Sequence, residues 1–352
     1  MHPDPEQPAL GSLLGLALGD AMGRPTEFLD TATIADTMGP WRALPLSHPA
    51  KVTDDTQMAL AVADALEDSA DDAALDPAEL AGNLARRFVE WANSPDNDRD
   101  PGQTCMDACA ALGRLQARGL GWQLASQADS KGCGANMRVT PIGLHPDLTA
   151  QERAGAAQLQ AAMTHGHPTA LAASDLTAHA VHLLATGTSP RALPSRLRAY
   201  AVTNQEVYHH RWLGGLWKLG GQFAGVGPSG YIAAGWRECL NSLDDLEAGL
   251  WNADPDADPC ESVGEGWTAE EALAGALLCF LQFPHEPVTA IRRAAASTGD
   301  SDSIAALAGA LAGAHMGAGG WPEAWVERIE YADRLAHHGA VYDAASHGPR
   351  NP

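Results

Sequence analysis

Two stretches of the chain carry acids at a spacing that helix capping alone does not use up. KVTDDTQMAL runs from Lys51 to Leu60, and STGDSDSIAALAGALAG runs from Ser297 to Gly313. Thr53-Asp54-Asp55-Thr56 and Asp300-Ser301-Asp302-Ser303 therefore each set two carboxylates and at least one hydroxyl at a predicted helix start. Taken singly, each reads as an N-cap with acids in the first turn, where the helix dipole favours them. Taken together they offer more oxygen acceptors than two caps can use. Brought to one point, four carboxylates repel unless cations neutralise them. Hard oxygen ligands, with no Cys or His in either stretch, select Mg²⁺, Mn²⁺ or Ca²⁺ over zinc or copper. A site of that charge can hold two ions, the arrangement that clamps an oxygen nucleophile or leaving group.

Three weaker segments accompany the pair. Gly19-Asp20-Ala21-Met22-Gly23-Arg24-Pro25-Thr26-Glu27 leaves a predicted helix through Gly and Pro and ends on a carboxylate, with Asp20 read as an ordinary helix residue. Gly132-Cys133-Gly134-Ala135-Asn136-Met137-Arg138 supplies glycine backbone that can approach a ligand closely and N–H groups that can bind phosphate oxygens. Thr164-His165-Gly166-His167-Pro168 adds imidazoles at a turn.

The elements that must position these residues are helices. Small and apolar residues recur at helical spacing, with few alternating β-branched runs. The pattern predicts helices over about 10–22, 55–66, 77–91, 104–118, 154–164, 170–185, 191–199, 232–251, 269–283, 287–296, 301–316 and 323–337. GSLLGLALGDAMG and SDSIAALAGALAGAHMG are rich in Gly and Ala, which weakens each helix alone and lets backbones approach, so burial against other helices must compensate. Asn93–Gly102 and Asn252–Trp267 read as polar loops, a frequent place for function on a helical scaffold.

Composition narrows the classes of function. The 352 residues carry a formal charge of -22, and Lys51, Lys131 and Lys218 are the only lysines. No clustered basic patch is visible, which argues against nonspecific binding to nucleic acid or to an anionic membrane. With no basic leader at the start and no long apolar run, a soluble cytoplasmic protein is expected. The six cysteines form no disulfide framework, and Cys105 and Cys109 read as buried packing. A Walker motif is absent around all three lysines, and no GxSxG elbow occurs. Gly225-Val226-Gly227-Pro228-Ser229-Gly230 matches GxGxxG only formally, with Pro inside the turn. His179/His182 and His209-His210 read as core or surface imidazoles.

The motifs GLALGDAMGRPTEF, VTDDTQMAL, GCGANMRVTPIGL, THGHP and TGDSDSIAALAGALAGA, in that order from about Leu10 to Gly317, make the chain resemble the ADP-ribosylglycohydrolases. The resemblance implies an all-α orthogonal multi-helix bundle with a binuclear Mg²⁺ or Mn²⁺ cleft. It also implies one domain over residues 1–352, with a core of about 10–337 and flexible ends. Thr53, Asp54, Asp55, Asp300, Asp302 and Ser303 match the metal motifs, and Glu27 matches an acid implicated in catalysis or in gating the metals. Gly132, Cys133, Gly134, Asn136, Met137 and Arg138 match the loop that embraces ADP-ribose, and His165 matches a ligand-contacting histidine. The second metal motif departs from the usual GGDTDT, Thr298 standing for the first Gly and Ser303 for the Thr, which retains an oxygen ligand. Trp91 and Trp267 are the candidates for stacking on adenine.

The reaction so implied is hydrolysis of the bond between ADP-ribose and an acceptor such as arginine or serine, releasing ADP-ribose. Asp54, Asp55, Asp300 and Asp302 hold the ions in this reading, and Glu27 or Asp302 orients or deprotonates water. The rival expectations are a noncatalytic ADP-ribose reader and a hydrolase of the diphosphate itself.

Overall fold

The structure is a computed structural model that describes residues 6–69, 75–219, 221–223, 225–251 and 254–346. Of the ends expected to be flexible, 1–5 and 347–352 lie outside these residues, while 8–9 and 338–346 belong to the first and last helices. Among the described residues there is no strand, only isolated bridges such as Gly132 with Thr268. The chain is all-α, as its periodicity predicts.

The N-terminal half comprises α1 (Pro8–Gly23), α2 (Thr31–Met38), α3 (Asp54–Glu67), α4 (Pro77–Ala92), α5 (Gln103–Gln116), α6 (Thr140–Leu144), α7 (Ala150–Ala162) and α8 (Pro168–Ala185). There follow α9 (Leu193–Asn204), α10 (His210–Leu213), α11 (Gly227–Trp251), α12 (Cys260–Val263), α13 (Ala269–Gln282), α14 (Pro287–Ala295), α15 (Ser301–Met316), α16 (Glu323–Val326) and α17 (Ala332–Ser346). One apolar cluster, running from Ala9 through Met58, Phe88, Leu159, Trp236 and Leu307 to Tyr342, joins most of them. No described helix is long and apolar enough to cross a membrane.

The crossing of α1 with α15 is what brings the acidic stretches near each other. Gly11, Gly15, Gly19 and Gly23 recur every four residues and so line one face of α1. They meet α15 in antiparallel order: a methyl group added at Gly15 would lie 2.1 Å from the carbonyl oxygen of Gly309, and one at Gly23 would lie 2.4 Å from Cα of Asp302. Backbone therefore touches backbone along the whole contact, and no side chain larger than hydrogen fits on these faces. The register sets the end of α1, with Asp20, beside the start of α15, with Asp302.

One predicted helix is broken, and another begins earlier than its pattern predicts, at Gly227 instead of about 232. The helix predicted over 323–337 is broken into α16 and α17. Ile329 pairs with Ala50, the Glu330 N–H donates to the Ala50 carbonyl at 3.1 Å, and Tyr331 adopts φ 61. Those tertiary bonds hold Glu330 out of a helix that its local sequence favours. Gly225 and Gly227 have positive φ at the mouth of α11, without a preceding strand, so the formal GxGxxG is a helix start.

Candidate metal centre

The opening of α3 shows what its two acids are free to do. The cap is Thr53, whose hydroxyl accepts from the Asp55 N–H at 3.3 Å. Asp20 completes it from α1, accepting from the N–H of Thr53 at 2.8 Å, the N–H of Thr56 at 3.1 Å and the Thr56 hydroxyl at 2.5 Å. With the helix start satisfied by these two residues, neither Asp54 nor Asp55 is needed as a cap. Asp54 accepts from the Gly102 N–H at 3.3 Å, at the end of the loop begun by Asn93. Asp55 accepts from the Ser303 hydroxyl, at 2.9 Å to each carboxylate oxygen.

That bond joins the starts of α3 and α15, 248 residues apart in the chain. Asp300 precedes the first turn of α15, and the Ser303 N–H donates to Asp302 at 3.0 Å. The Asp300 N–H donates to the carbonyl of Glu265 at 2.9 Å, which ties the second polar loop to the same place. Gly299 makes this turn at φ +99, with the Glu265 carbonyl where a side chain would stand, so glycine is required there. Glu27, Asp300 and Asp302 each present a carboxylate oxygen, all within 4.8 Å of one another.

The electrostatics follow from burial without countercharge. Burial, then the charge of Asp302, pushes Asp20 and Asp54 each up to about 7. Burial followed by Asp302, Asp54, Asp100 and Asp20 pushes Glu27 up to about 9. Asp55, Asp300 and Asp302 are raised as well, with burial the largest cause. The charges that raise these groups are other carboxylates. An all-oxygen donor set, desolvated and mutually repelling, fits hard divalent cations, whose charge would reverse each of these shifts.

The chain belongs to the ADP-ribosylglycohydrolase family. The family's model, described as ADP-ribosylglycohydrolase, matches residues 1–349. The chain is 28% identical over 338 residues to the ADP-ribosylarginine hydrolase Tri1 of Pseudomonas putida, covering 93% of this chain and 75% of that protein. It is 33% identical over 216 residues to the ADP-ribosyl-[dinitrogen reductase] glycohydrolase of Rhodospirillum rubrum, covering 58% of this chain and 64% of that one. A solved structure titled "ADP-ribosylglycohydrolase-related protein complex" shares the fold, with a TM-score of 0.66 at 23% identity over 97% of this chain and 99% of that one.

Within this family member the glycine loop packs directly behind the acids. The Cys133 N–H donates to the Trp267 carbonyl at 3.0 Å, and a side chain on Gly134 would lie 2.8 Å from Cys105 Sγ and 3.1 Å from His165 Cε1. Burial, then Asp300 and Asp55, raises the Cys133 thiol, so folding brings a cysteine near acids that have none in their own stretches. Met137 is buried, and Asn136 donates to the Ala269 carbonyl at 2.8 Å. Arg138 is fully buried. Its guanidinium donates to the Gln160 side chain at 2.7 Å, the Gln160 carbonyl at 2.8 Å and the Thr164 hydroxyl at 2.7 Å, and lies 4.3 Å over the Phe88 ring. It braces the loop from beneath. His165 shares a 2.7 Å hydrogen bond with the Thr164 hydroxyl, and burial, then Arg138, lowers it to about 3, so the ring is neutral.

Three residues beside the acids lie inside segments that the sequence singles out, but nothing in those segments gives them a role in the site. Asp20 is an organiser of α3, not an idle helix residue, and its partners are 33 and 36 residues away. Asp100, at φ 52, lines a cavity of about 410 Å³ with Arg24, Glu27, Phe28 and Thr53. Phe28, also at positive φ (65) and 67% exposed, stacks on Trp267 with centroids 5.4 Å apart. Of the two tryptophans considered for adenine, Trp91 is instead a core residue that donates to Gln57 Oε1 at 3.1 Å, while Trp267 is exposed and stacks on Phe28.

Proposed function

We propose that this chain is a cytoplasmic hydrolase, dependent on two Mg²⁺ or Mn²⁺ ions, that cleaves the glycosidic bond between ADP-ribose and an acceptor side chain. The observation that carries the reading is the meeting of two acidic helix starts through Ser303 and Asp55, beside the cluster of Glu27, Asp300 and Asp302. Thr53, Asp54, Asp55, Asp300, Asp302 and Ser303 would hold the ions, and residues 1–352 would act as one catalytic domain. When bound, the cations supply Lewis acidity and neutralise the buried carboxylates.

The chain's own groups do the rest. A water oxygen bonds to the anomeric carbon as the bond from that carbon to the acceptor breaks, and the electron pair departs with the acceptor. Glu27, half-buried at the cavity, takes the water's proton and returns it to the departing atom, while Asp302 orients the water. The backbone N–H groups of Gly132 and Gly134 receive the diphosphate, that of Cys133 being held by the Trp267 carbonyl. Asn136, Met137, Arg138 and His165 give that loop its shape, Arg138 acting through the loop because its donors are already engaged.

Arginine is the acceptor this reading favours. Relatives are named for it, and the cavity lined by Glu27 and Asp100, with Arg24 and with Arg99 already paired to Glu330, offers these two carboxylates to a guanidinium leaving group. The test is release of free ADP-ribose from ADP-ribosylated arginine, serine and nucleic-acid substrates with Mg²⁺ or Mn²⁺, with chelator and Asp302→Ala as controls. Turnover on arginine that chelator abolishes is expected. Full activity in chelator would reject the metal role, AMP as product would mean diphosphate cleavage, and binding without turnover would mean a reader.

A further inference from the structure

The far end of α3 carries a second cluster, of different chemistry. Glu67 in the last turn of α3 and His337 and His338 on α17 each offer one ligand atom, all within 4.8 Å of one another. His337 Nε2 lies 2.8 Å from Glu67 Oε1. His338 is buried, with Nε2 2.9 Å from Asp64 Oδ1 and Nδ1 3.7 Å from Glu67 Oε2.

The partners of His338 distinguish its two nitrogens. In a neutral ring the bond to Asp64 makes Nε2 the protonated nitrogen and leaves a lone pair on Nδ1. That lone pair then faces a carboxylate oxygen at a separation too long for a hydrogen bond, yet suited to two ligands of one ion. A carboxylate behind a ligating imidazole, as Asp64 stands behind His338, is the outer partner that orients such rings and raises their basicity. An independent observation marks the same place. The Tyr342 hydroxyl, one helical turn beyond His338, is buried with no hydrogen-bond partner among the described residues, and Glu67 and Asp64 are the charges that act on it.

We propose that Glu67, His337 and His338 bind a zinc-class divalent ion that clips α17 to α3. Two imidazoles and one carboxylate suit Zn²⁺, Co²⁺ or Ni²⁺, whereas the oxygen-only cleft suits Mg²⁺ or Mn²⁺, so the two sites sort ions by hardness. The clip would act at a useful point. Asp343 of α17 accepts from the N–H groups of Ala9 at 2.9 Å and Leu10 at 3.1 Å, so α17 already holds the start of α1. Fastening α17 to α3 as well would join the two helices that carry Asp20 and Asp54/Asp55.

The test uses the full chain, stripped with chelator and then saturated with Mg²⁺ to fill the cleft. Titration with Co²⁺ should give one equivalent of visible d–d absorption, which Zn²⁺ displaces while raising the melting temperature. His337 and Glu67 have exposed side chains, so His337→Ala and Glu67→Gln should fold, and each should weaken Zn²⁺ binding at least about tenfold, as should loss of the outer partner in Asp64→Asn. Asp302→Ala should bind Zn²⁺ at this site as the parent does. The proposal is overturned if the Mg²⁺-saturated parent takes up no Co²⁺ or Zn²⁺ at micromolar concentration, as a plain histidine–carboxylate ion pair would behave. It is equally overturned if His337→Ala and Glu67→Gln bind the ion as well as the parent.

Discussion

The two ends of α3 treat their carboxylates in opposite ways. At the C-terminal end, Asp68 receives Arg87 at 2.7 Å and Arg86 at 2.5 Å, and Asp64 receives Arg334 at 2.7 Å. Both acids sit below the usual carboxylate range, Asp68 through Arg87 and Arg86, and Asp64, despite burial, through His338 and then Arg334. At the N-terminal end, Asp54 and Asp55 are buried among Asp20, Asp300 and Asp302 and are raised. A chain with 19 arginines places several on partly exposed acids and leaves the buried acids at the start of α3 facing one another. On the proposed function divalent cations supply the balancing charge at that end, and without them bound protons do.

The contrast breaks most visibly in activity. Asp302→Ala removes the group that bears on all its neighbours, and kcat/KM should fall by at least roughly 10³-fold, because several kcal/mol of charge stabilisation go with it and each 1.4 kcal/mol is a factor of ten. In chelator the same variant should melt higher than the parent, since a buried repulsion is gone. A variant that loses activity and also melts lower in chelator would refute the picture of mutually repelling acids.

Next comes the crossing that creates the cluster. Gly15→Ala pushes a methyl group into the Gly309 carbonyl and should cost about 3 kcal/mol, the upper end for overpacking because the obstacle is backbone. Urea unfolding at fixed Mg²⁺ measures it. Gly82→Ala, on α4 with nothing near the added methyl, should be neutral or stabilising.

The pH dependence of stability sharpens the comparison further. Glu27, Asp20 and Asp54 bind protons more tightly folded than unfolded, so their contribution is full at low pH and is lost as pH rises through about 7 and then about 9. Between pH 6.5 and 9 the chelated protein should therefore lose roughly 5 °C of melting temperature. Excess Mg²⁺ should flatten that slope, and an equal slope with and without the ion would exclude the cluster as its origin. The smallest effect belongs to the paired end: Arg86→Ala should change stability by less than about 1 kcal/mol and leave kcat/KM unaltered.

Much of the candidate site is legible because its motifs are local. A hydroxyl and two acids before a helical pattern announce both a helix start and a surplus of carboxylate, at Thr53–Asp55 as at Asp300–Ser303. The glycine loop, the two polar loops and most helices are visible for the same reason. Asp20 is not, since its meaning depends on N–H groups more than thirty residues away. Arg138 shows the converse: a charged residue in a ligand-binding motif looks free until Gln160, Thr164 and Phe88 close around it. Adjacent histidines at 337 and 338 carry no signal until α17 is laid against α3, and α17 itself was hidden by a break that Ala50 imposes from outside.

The order of residues by itself determined that this protein is helical, that two helix starts carry surplus carboxylate, and that two helices are too rich in glycine to stand alone. Only the tertiary structure decided that those two features are one device. Helix propensity and capping act over a few residues, so they are written locally. Proximity between Asp55 and Ser303 depends on the antiparallel register of α1 on α15, which backbone contact between distant glycines sets.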